Sequence, residues 1–243
     1  MTAVKEVRAP RGFDVIGEVQ GSHVALLGLL KQLGYRANFK HPAGRIPLFV
    51  GNFTLHGPSP ASALWVVKEI VDRGLGHTVL GPRDRRLLKH LRGDRGDSFA
   101  IRYAEYQLRA HAMVDDAIEF LSTLPVGLIV DQRVVVTNAP LVSVLSLTGS
   151  EAAVVRACIY GIEGVVGWDS RMLNVHGGSA AVDTYTVGDT HVNLTGDVAF
   201  GGTLAAFRHP ERAIHVQDGN GWDWRELKDH IKSLHPRLTS DTV

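Results

Sequence analysis

Three apolar runs in the first part of this chain each end in a glycine and open into a loop. Phe13–Ile16 runs into Gly17, Ile46–Val50 into Gly51, and His77–Leu80 into Gly81. Helix-period segments lie between them. Ser22 stands where an N-cap would open a helix with Val24, Leu26, Leu27, Leu30 and Leu33 on its apolar face, and Gly34 follows as a stop. Pro60 suits the first turn of a second helix carrying Leu64, Val67, Ile70 and Val71, with Gly74 beyond its end. Strand and helix in alternation predict an α/β fold. Ligands of open α/β sheets bind beyond the carboxyl ends of the strands. Glycine permits tight turns and close backbone approach there. The pattern predicts one pocket lined by the loops 17–21, 51–58 and 81–84; turn chemistry alone would place the same glycines.

Further helical patterns run through Arg85–Leu91, Ser98–Ala112 and Asp115–Ser122. The second half is richer in strands. Gly127–Val130 and Arg133–Thr137 flank Asp131-Gln132, which reads as a hairpin turn. Ala152–Ile159 suits helix or strand, and the alternating stretch Val192–Phe207 reads as paired strands. Trp224–Leu234 reads as a last short helix, with a frayed tail after Pro236. No repeat, linker or low-complexity segment interrupts the 243 residues. A single domain over 1–243 is expected, its C-terminal helix and tail occupying 222–243.

Composition excludes several classes. Hydrophobic residues at 44% and charged residues at 21% support a packed core. A lone cysteine, Cys158, rules out a disulfide scaffold and a Cys-rich metal site. No apolar run reaches roughly 18 residues, so no membrane partner is expected. The polar N-terminus lacks an apolar leader, which points to the cytoplasm. A net charge of +1 gives no electrostatic case for nucleic acid. Twelve histidines invite a metalloenzyme reading. No HxH or HExxH spacing supports a new metal site, however. His23, His90, His111, His230 and His235 sit in polar helical or tail contexts and read as surface residues.

The glycine-ended loops carry a resemblance. The chain reads GEVQG at 17–21, GNFTLHGP at 51–58, GPRD at 81–84, VVVTNA at 134–139 and VHGG at 175–178. In order and spacing these blocks resemble the signatures of the calcineurin-like metallophosphoesterases. The branch is that of the bis(5′-nucleosyl)-tetraphosphatases and bacterial serine/threonine-type phosphatases. LTGDVAFGGTLAAFRHPE at 194–211 is similar to that family's closing block, so the resemblance covers about residues 12–211. It implies two packed mixed β-sheets flanked by helices.

The departures bear on function. The family's first block supplies an Asp and a His to a metal pair, and Glu18 and Gln20 stand there. The bridging Asp is Asn52, the next Asn ligand is Pro82, and the later histidines fall on Asn138 and Gly177, with His176 one residue earlier. A further Asp of the second block is Leu55, its phosphate-gripping Arg is His56, and the general-acid His is Arg83; only the orienting Asp84 remains. A metal pair works by lowering the pKa of bound water from about 15.7 to about 7, roughly 12 kcal/mol. Neutral amides cannot balance two divalent charges, and Arg83 would repel them. The resemblance, so altered, implies no metal and no cofactor.

Carried over, it implies a pocket lined by Glu18, Gln20, Asn52, His56, Arg83, Asp84, Asn138 and His176. Three readings follow. A pseudoenzyme would bind a small polar or phosphorylated ligand, or serve a protein partner. A metal-independent enzyme would use Glu18, His56, Arg83 and Asp84 for acid–base chemistry such as cyclisation, elimination, isomerisation or hydrolysis. A residual phosphatase would hold one metal on Glu18, Asp84 and His176. The basic run Arg83, Arg85, Arg86, Lys89 and Arg92 reads as a solvated helix face that starts at the pocket edge. Arg95-Gly96-Asp97 reads as a chance loop motif, and Trp222 and Trp224 as anchors of the last helix.

Overall fold

The computed structural model describes residues 3–94, 98–141, 143, 147–161, 171–178, 184–219 and 224–234. The Arg95–Asp97 loop, Trp222, His235 and the tail after Pro236 lie outside the described residues.

The first half follows the strand–helix alternation. Strand β1 (Val4–Val7) precedes β2 (Phe13–Ile16) and helix α1 (His23–Gln32). Strand β3 (Ile46–Phe49) leads to α2 (Pro60–Asp72), and β4 (His77–Thr78) to α3 (Pro82–Leu91). Helices α4 (Phe99–Ala110) and α5 (Val114–Thr123) complete this half. Strands β5 (Gly127–Val130) and β6 (Val134–Thr137) form an antiparallel hairpin. Asp131 and Gln132 both take positive φ, +47° and +56°, in its three-residue connection 131–133. The remaining elements are α6 (Glu151–Tyr160), β7 (Leu173–His176), β8 (Thr186–Val187), β9 (His191–Asn193), β10 (Thr203–His209), β11 (Ala213–Asp218) and α7 (Trp224–Leu234).

Two mixed sheets result, ordered β1-β5-β6-β7-β9-β8 and β11-β10-β2-β3-β4. Strand alternation decides which side chains face between them. Val15, Leu48, Val136, Val175, Val192 and Phe207 share the core between the sheets. Their neighbours Ile16 and Phe49 point the other way, into a second core under α1 to α5. Helix α6 covers the opposite outer face with Val154, Ala157 and Cys158 against Val135. Burial of both faces explains why the parallel strands are apolar runs without polar alternation.

The structure revises several expectations. Val24 and Leu27, read as part of the apolar face of α1, are 54% and 42% exposed. Leu26, Leu30 and Leu33 are buried as expected, and Ala25 and Leu29 join them in place of those two, because this stripe is the one that meets the sheet. Ser22 occupies the N-cap position without a capping side-chain bond. The segment Ala152–Ile159 is helical, with Ser150 Oγ accepting from Ala153 N at 3.4 Å. Within Val192–Phe207 the strands do not pair with each other. Strand β9 joins the first sheet and β10 the second, so residues 194–202 cross between sheets. The N-terminal strand β1, which pairs in parallel with β5, and β11 were not signalled by the apolar pattern.

At the amino end of β2, buried Asp14 accepts from Tyr35 Oη at 2.8 Å, Arg45 Nε at 3.2 Å and Arg208 Nε at 2.7 Å. Burial alone would raise its carboxyl; the bonds from Arg208, Arg45 and Tyr35 outweigh that and hold it below the usual carboxylate range. This network ties β10 and the start of β3 to β2 at the end of the sheet away from the glycine loops.

Candidate functional site

Strands β2, β3 and β4 run parallel in one sheet, and β6, β7 and β9 in the other. The loops leaving their carboxyl ends meet around Glu18, which is 7% exposed. Its Oε1 accepts from Asn52 Nδ2 at 2.6 Å and Asn138 Nδ2 at 3.1 Å. Its Oε2 accepts from Gln20 Nε2 at 3.1 Å and Arg83 Nη1 at 3.4 Å. One carboxylate thus gathers side chains from four loops.

The amides also fix one another. Asn52 Oδ1 accepts from Arg83 N at 2.8 Å, and Asn138 Nδ2 donates to Val50 O at 2.8 Å. Gln20 Oε1 accepts from Ala199 N at 3.2 Å, and its amide reaches Asp197 Oδ1 at 3.3 Å. Asp197 and Ala199 were not singled out as site residues; their signal was the 194–211 block, and the crossing of that loop between sheets places them.

Close backbone approach is required here. A Cβ on Gly51, whose φ is +84°, would lie 2.6 Å from Gly81 N. One on Gly81 would lie 2.4 Å from Asn52 Oδ1. These glycines let the β3 and β4 loops touch, which is what brings Arg83 to Asn52.

Asp84, fully buried, serves the backbone. It accepts from Asn52 N at 2.6 Å, Phe53 N at 3.1 Å, Thr54 N at 3.2 Å, Thr54 Oγ1 at 2.8 Å and Gly81 N at 3.1 Å. Burial pushes its carboxyl up to about 6, against the pull of those bonds. Both oxygens are engaged in holding the 51–54 loop to the start of α3.

The two histidines are placed differently from the amides. His56 sits among aromatic rings, with centroids 5.3 Å from Phe200 and 5.7 Å from Trp224. Burial, with the positive charges of Arg83 and Arg86, lowers it to about 4, so its imidazole is neutral at pH 7. His176 does not join the Glu18 cluster. Val175 faces the core between the sheets, so its neighbour His176 takes the outer face, where its ring lies 5.8 Å from His191. Burial and His191 lower it to about 3, and among the described residues its buried Nδ1 has no hydrogen-bond partner. Gly177 is the residue that abuts Glu18: a Cβ there would come within 2.9 Å of Glu18 Cγ.

The fold implies a pair of divalent metals at this position, and the donors present do not fit one. Glu18 contributes the one carboxylate of the cluster's centre, and its four accepted bonds include a guanidinium. The other side chains that meet Glu18 are neutral amides, with the Asp197 carboxylate behind Gln20. Among the described residues, no group of three or more His, Cys, Asp or Glu side chains is arranged to hold a metal ion. A groove of about 1340 Å³ lies elsewhere, between α1 and α2, with Leu27 and Trp65 in its lining. Among the described residues, no helix is long and apolar enough to cross a membrane.

Two mixed sheets with flanking helices and a site at the strand ends define a calcineurin-like metallophosphoesterase fold. No family model matches the chain. An asymmetrical bis(5′-nucleosyl)-tetraphosphatase, PrpE, of Halalkalibacterium halodurans is 33% identical over 84 residues, which is 33% of this chain and 34% of that protein. The PrpE of Geobacillus thermodenitrificans is 34% identical over 83 residues, and the chain thus aligns with about a third of the length of these curated relatives. The crystal structure of a candidate diadenosine tetraphosphatase superposes with a TM-score of 0.64 at 19% identity, covering 89% of this chain and 97% of the other. A Saccharomyces cerevisiae serine/threonine phosphatase with similarity to human PP5 gives 0.53 at 12% identity, covering 89% and 84%. The chain thus shares its fold with these phosphoesterases and is similar, over the aligned third, to the asymmetrical tetraphosphatases.

Proposed function

We propose that this chain is a metal-free, catalytically altered member of that fold. Its former metal centre is, in this reading, a binding or regulatory site for a small phosphorylated anion. The observation that carries the reading is the Arg83–Glu18 pair, 3.4 Å apart with Arg83 27% exposed and Glu18 7%. A guanidinium has five donors, and this one spends a single terminal nitrogen on Glu18. Its outward edge is left for a phosphate or carboxylate, the anions its planar fork matches. Arg86 adds positive charge on the same side, since it and Arg83 both act on His56.

The geometry favours binding over acid–base catalysis. Glu18 already accepts four bonds, Asp84 is committed to the backbone, and among the described residues no carboxylate is bonded to the neutral His56 to orient it. Isothermal titration with inorganic phosphate, without added metal, tests the reading. Saturable binding weakened at least about tenfold by Arg83→Gln is expected, since loss of a charge-assisted bond is worth about 1.5–3 kcal/mol. Manganese-dependent turnover of a phosphomonoester, with a stoichiometric bound metal, would overturn it.

A further inference from the structure

Helix α3 divides its cations between two faces. At 100° per residue Arg83 and Arg86 fall on the side facing the Glu18 site. Arg85, Lys89 and Arg92 fall within about 60° of one another on another side. That second stripe borders a cleft of about 430 Å³ between α3 and α6. The cleft's floor is apolar, with Leu88, Val126, Val155 and Ile159. Asp94 and Glu151 stand on its rim. Among the described residues, neither they nor any other carboxylate forms an ion pair with Arg85, Lys89 or Arg92. Arg85 Nη1 is steadied by Tyr160 Oη at 3.3 Å, and Arg92 Nη2 by Ser122 Oγ at 2.5 Å. Tyr160 is itself 56% exposed.

We propose that this cleft is a second ligand site, separate from the Glu18 cluster, and that it takes an organic di- or triphosphate. From Arg85 to Arg92 the helix rises about 10.5 Å, a length that suits a chain of phosphates better than one carboxylate. Arginine forks bind phosphate oxygens in pairs. The apolar floor gives the organic part a surface that a bare polyphosphate would not use. A volume of about 430 Å³ is enough for one nucleotide-sized molecule.

The experiment uses the full chain carrying Arg83→Gln, which removes the anion contact proposed at the other site, and ATP as the probe in the absence of metal. One saturable site is expected, weakened at least about tenfold by adding the surface changes Lys89→Glu and Arg92→Glu, and weakened by raised salt. Adenosine should not bind, and tripolyphosphate should bind at least several-fold more weakly than ATP. The proposal is overturned if the Arg83→Gln protein shows no saturable ATP binding, or if the two glutamates leave the affinity unchanged. It is also overturned if tripolyphosphate matches ATP. A failure of phosphate to bind the unaltered chain would count against the Glu18-site reading alone.

Discussion

Arg83 Nη1 lies 3.4 Å from Glu18 Oε2 and joins the first turn of α3 to the loop leaving β2. A positive side chain therefore occupies the centre of a site whose fold relatives are metallophosphoesterases. The pair is asymmetric in exposure, and that asymmetry sets its energetics. Glu18 is shielded by three amides, whereas Arg83 reaches solvent.

A double-mutant cycle of Glu18→Gln and Arg83→Gln should give a coupling energy of about 1 kcal/mol or less, because the partly exposed guanidinium is screened by water. Raising salt should shrink it further. Urea unfolding of the four proteins measures the coupling; a value above about 3 kcal/mol would refute this account of the pair.

Asp84→Ala should destabilise the protein by at least about 3 kcal/mol. The carboxylate satisfies four backbone N–H groups and the Thr54 hydroxyl, and its loss strands several buried donors at about 1–3 kcal/mol each, not additively. Asp84→Asn should cost less, since its amide oxygen can still accept some of these bonds. Equal stability of Asp84→Ala and the unaltered chain in denaturant would contradict the role.

His56 makes stability fall on acidification. Its folded value is about 4 against an ordinary 6.5, so between these pH values the unfolded chain binds the proton and the folded chain does not. Stability contributed by the neutral ring is present above pH 6.5 and is lost as pH drops toward 4, by about 3 kcal/mol at most. Asp84, raised to about 6 from 3.8, acts in the opposite sense, because its protonation between pH 6 and 4 favours the folded state. Comparing His56→Gln with the unaltered chain isolates the histidine. The variant should lose less stability from pH 7 to pH 4.5, and identical profiles would rule the effect out.

Asp14→Asn should destabilise by about 3–5 kcal/mol, since it leaves the buried Arg45 guanidinium and that of Arg208 without their shared carboxylate. The network lies at the opposite end of β2 from Glu18, so phosphate affinity at the Glu18 site should be unchanged while the protein remains folded. Thermal unfolding and titration with phosphate check the two halves of this expectation separately.

Much of the fold was legible because local rules and tertiary placement agree in the first half. Apolar runs ended by Gly17, Gly51 and Gly81 became the parallel strands β2, β3 and β4 and their loops. The motif blocks pointed to Glu18, Gln20, Asn52, Arg83 and Asn138, and these are the side chains that meet. Legibility failed where a choice between equivalent surfaces had to be made. The stretch Val192–Phe207 has strand character throughout, yet nothing local says that its two strands enter different sheets. Val24 and Leu27 are as apolar as Leu26 and Leu30, and only the position of the sheet selects the stripe that buries.

On its own the sequence pointed to the strand-end loops 17–21, 51–58 and 81–84 as one pocket, and its resemblance to a known family, carried over residue by residue, named the amides, the glutamate and the arginine that gather there. The tertiary structure alone decided that His176 turns outward while Gly177 touches Glu18, and that Asp84 serves backbone while Glu18 serves side chains. The reason is physical. A strand offers alternate residues to opposite faces, and only the packing of the second sheet establishes which face is inside. Hydrogen bonds such as that between Asn138 and Glu18, 120 positions apart, exist only once both sheets are in place.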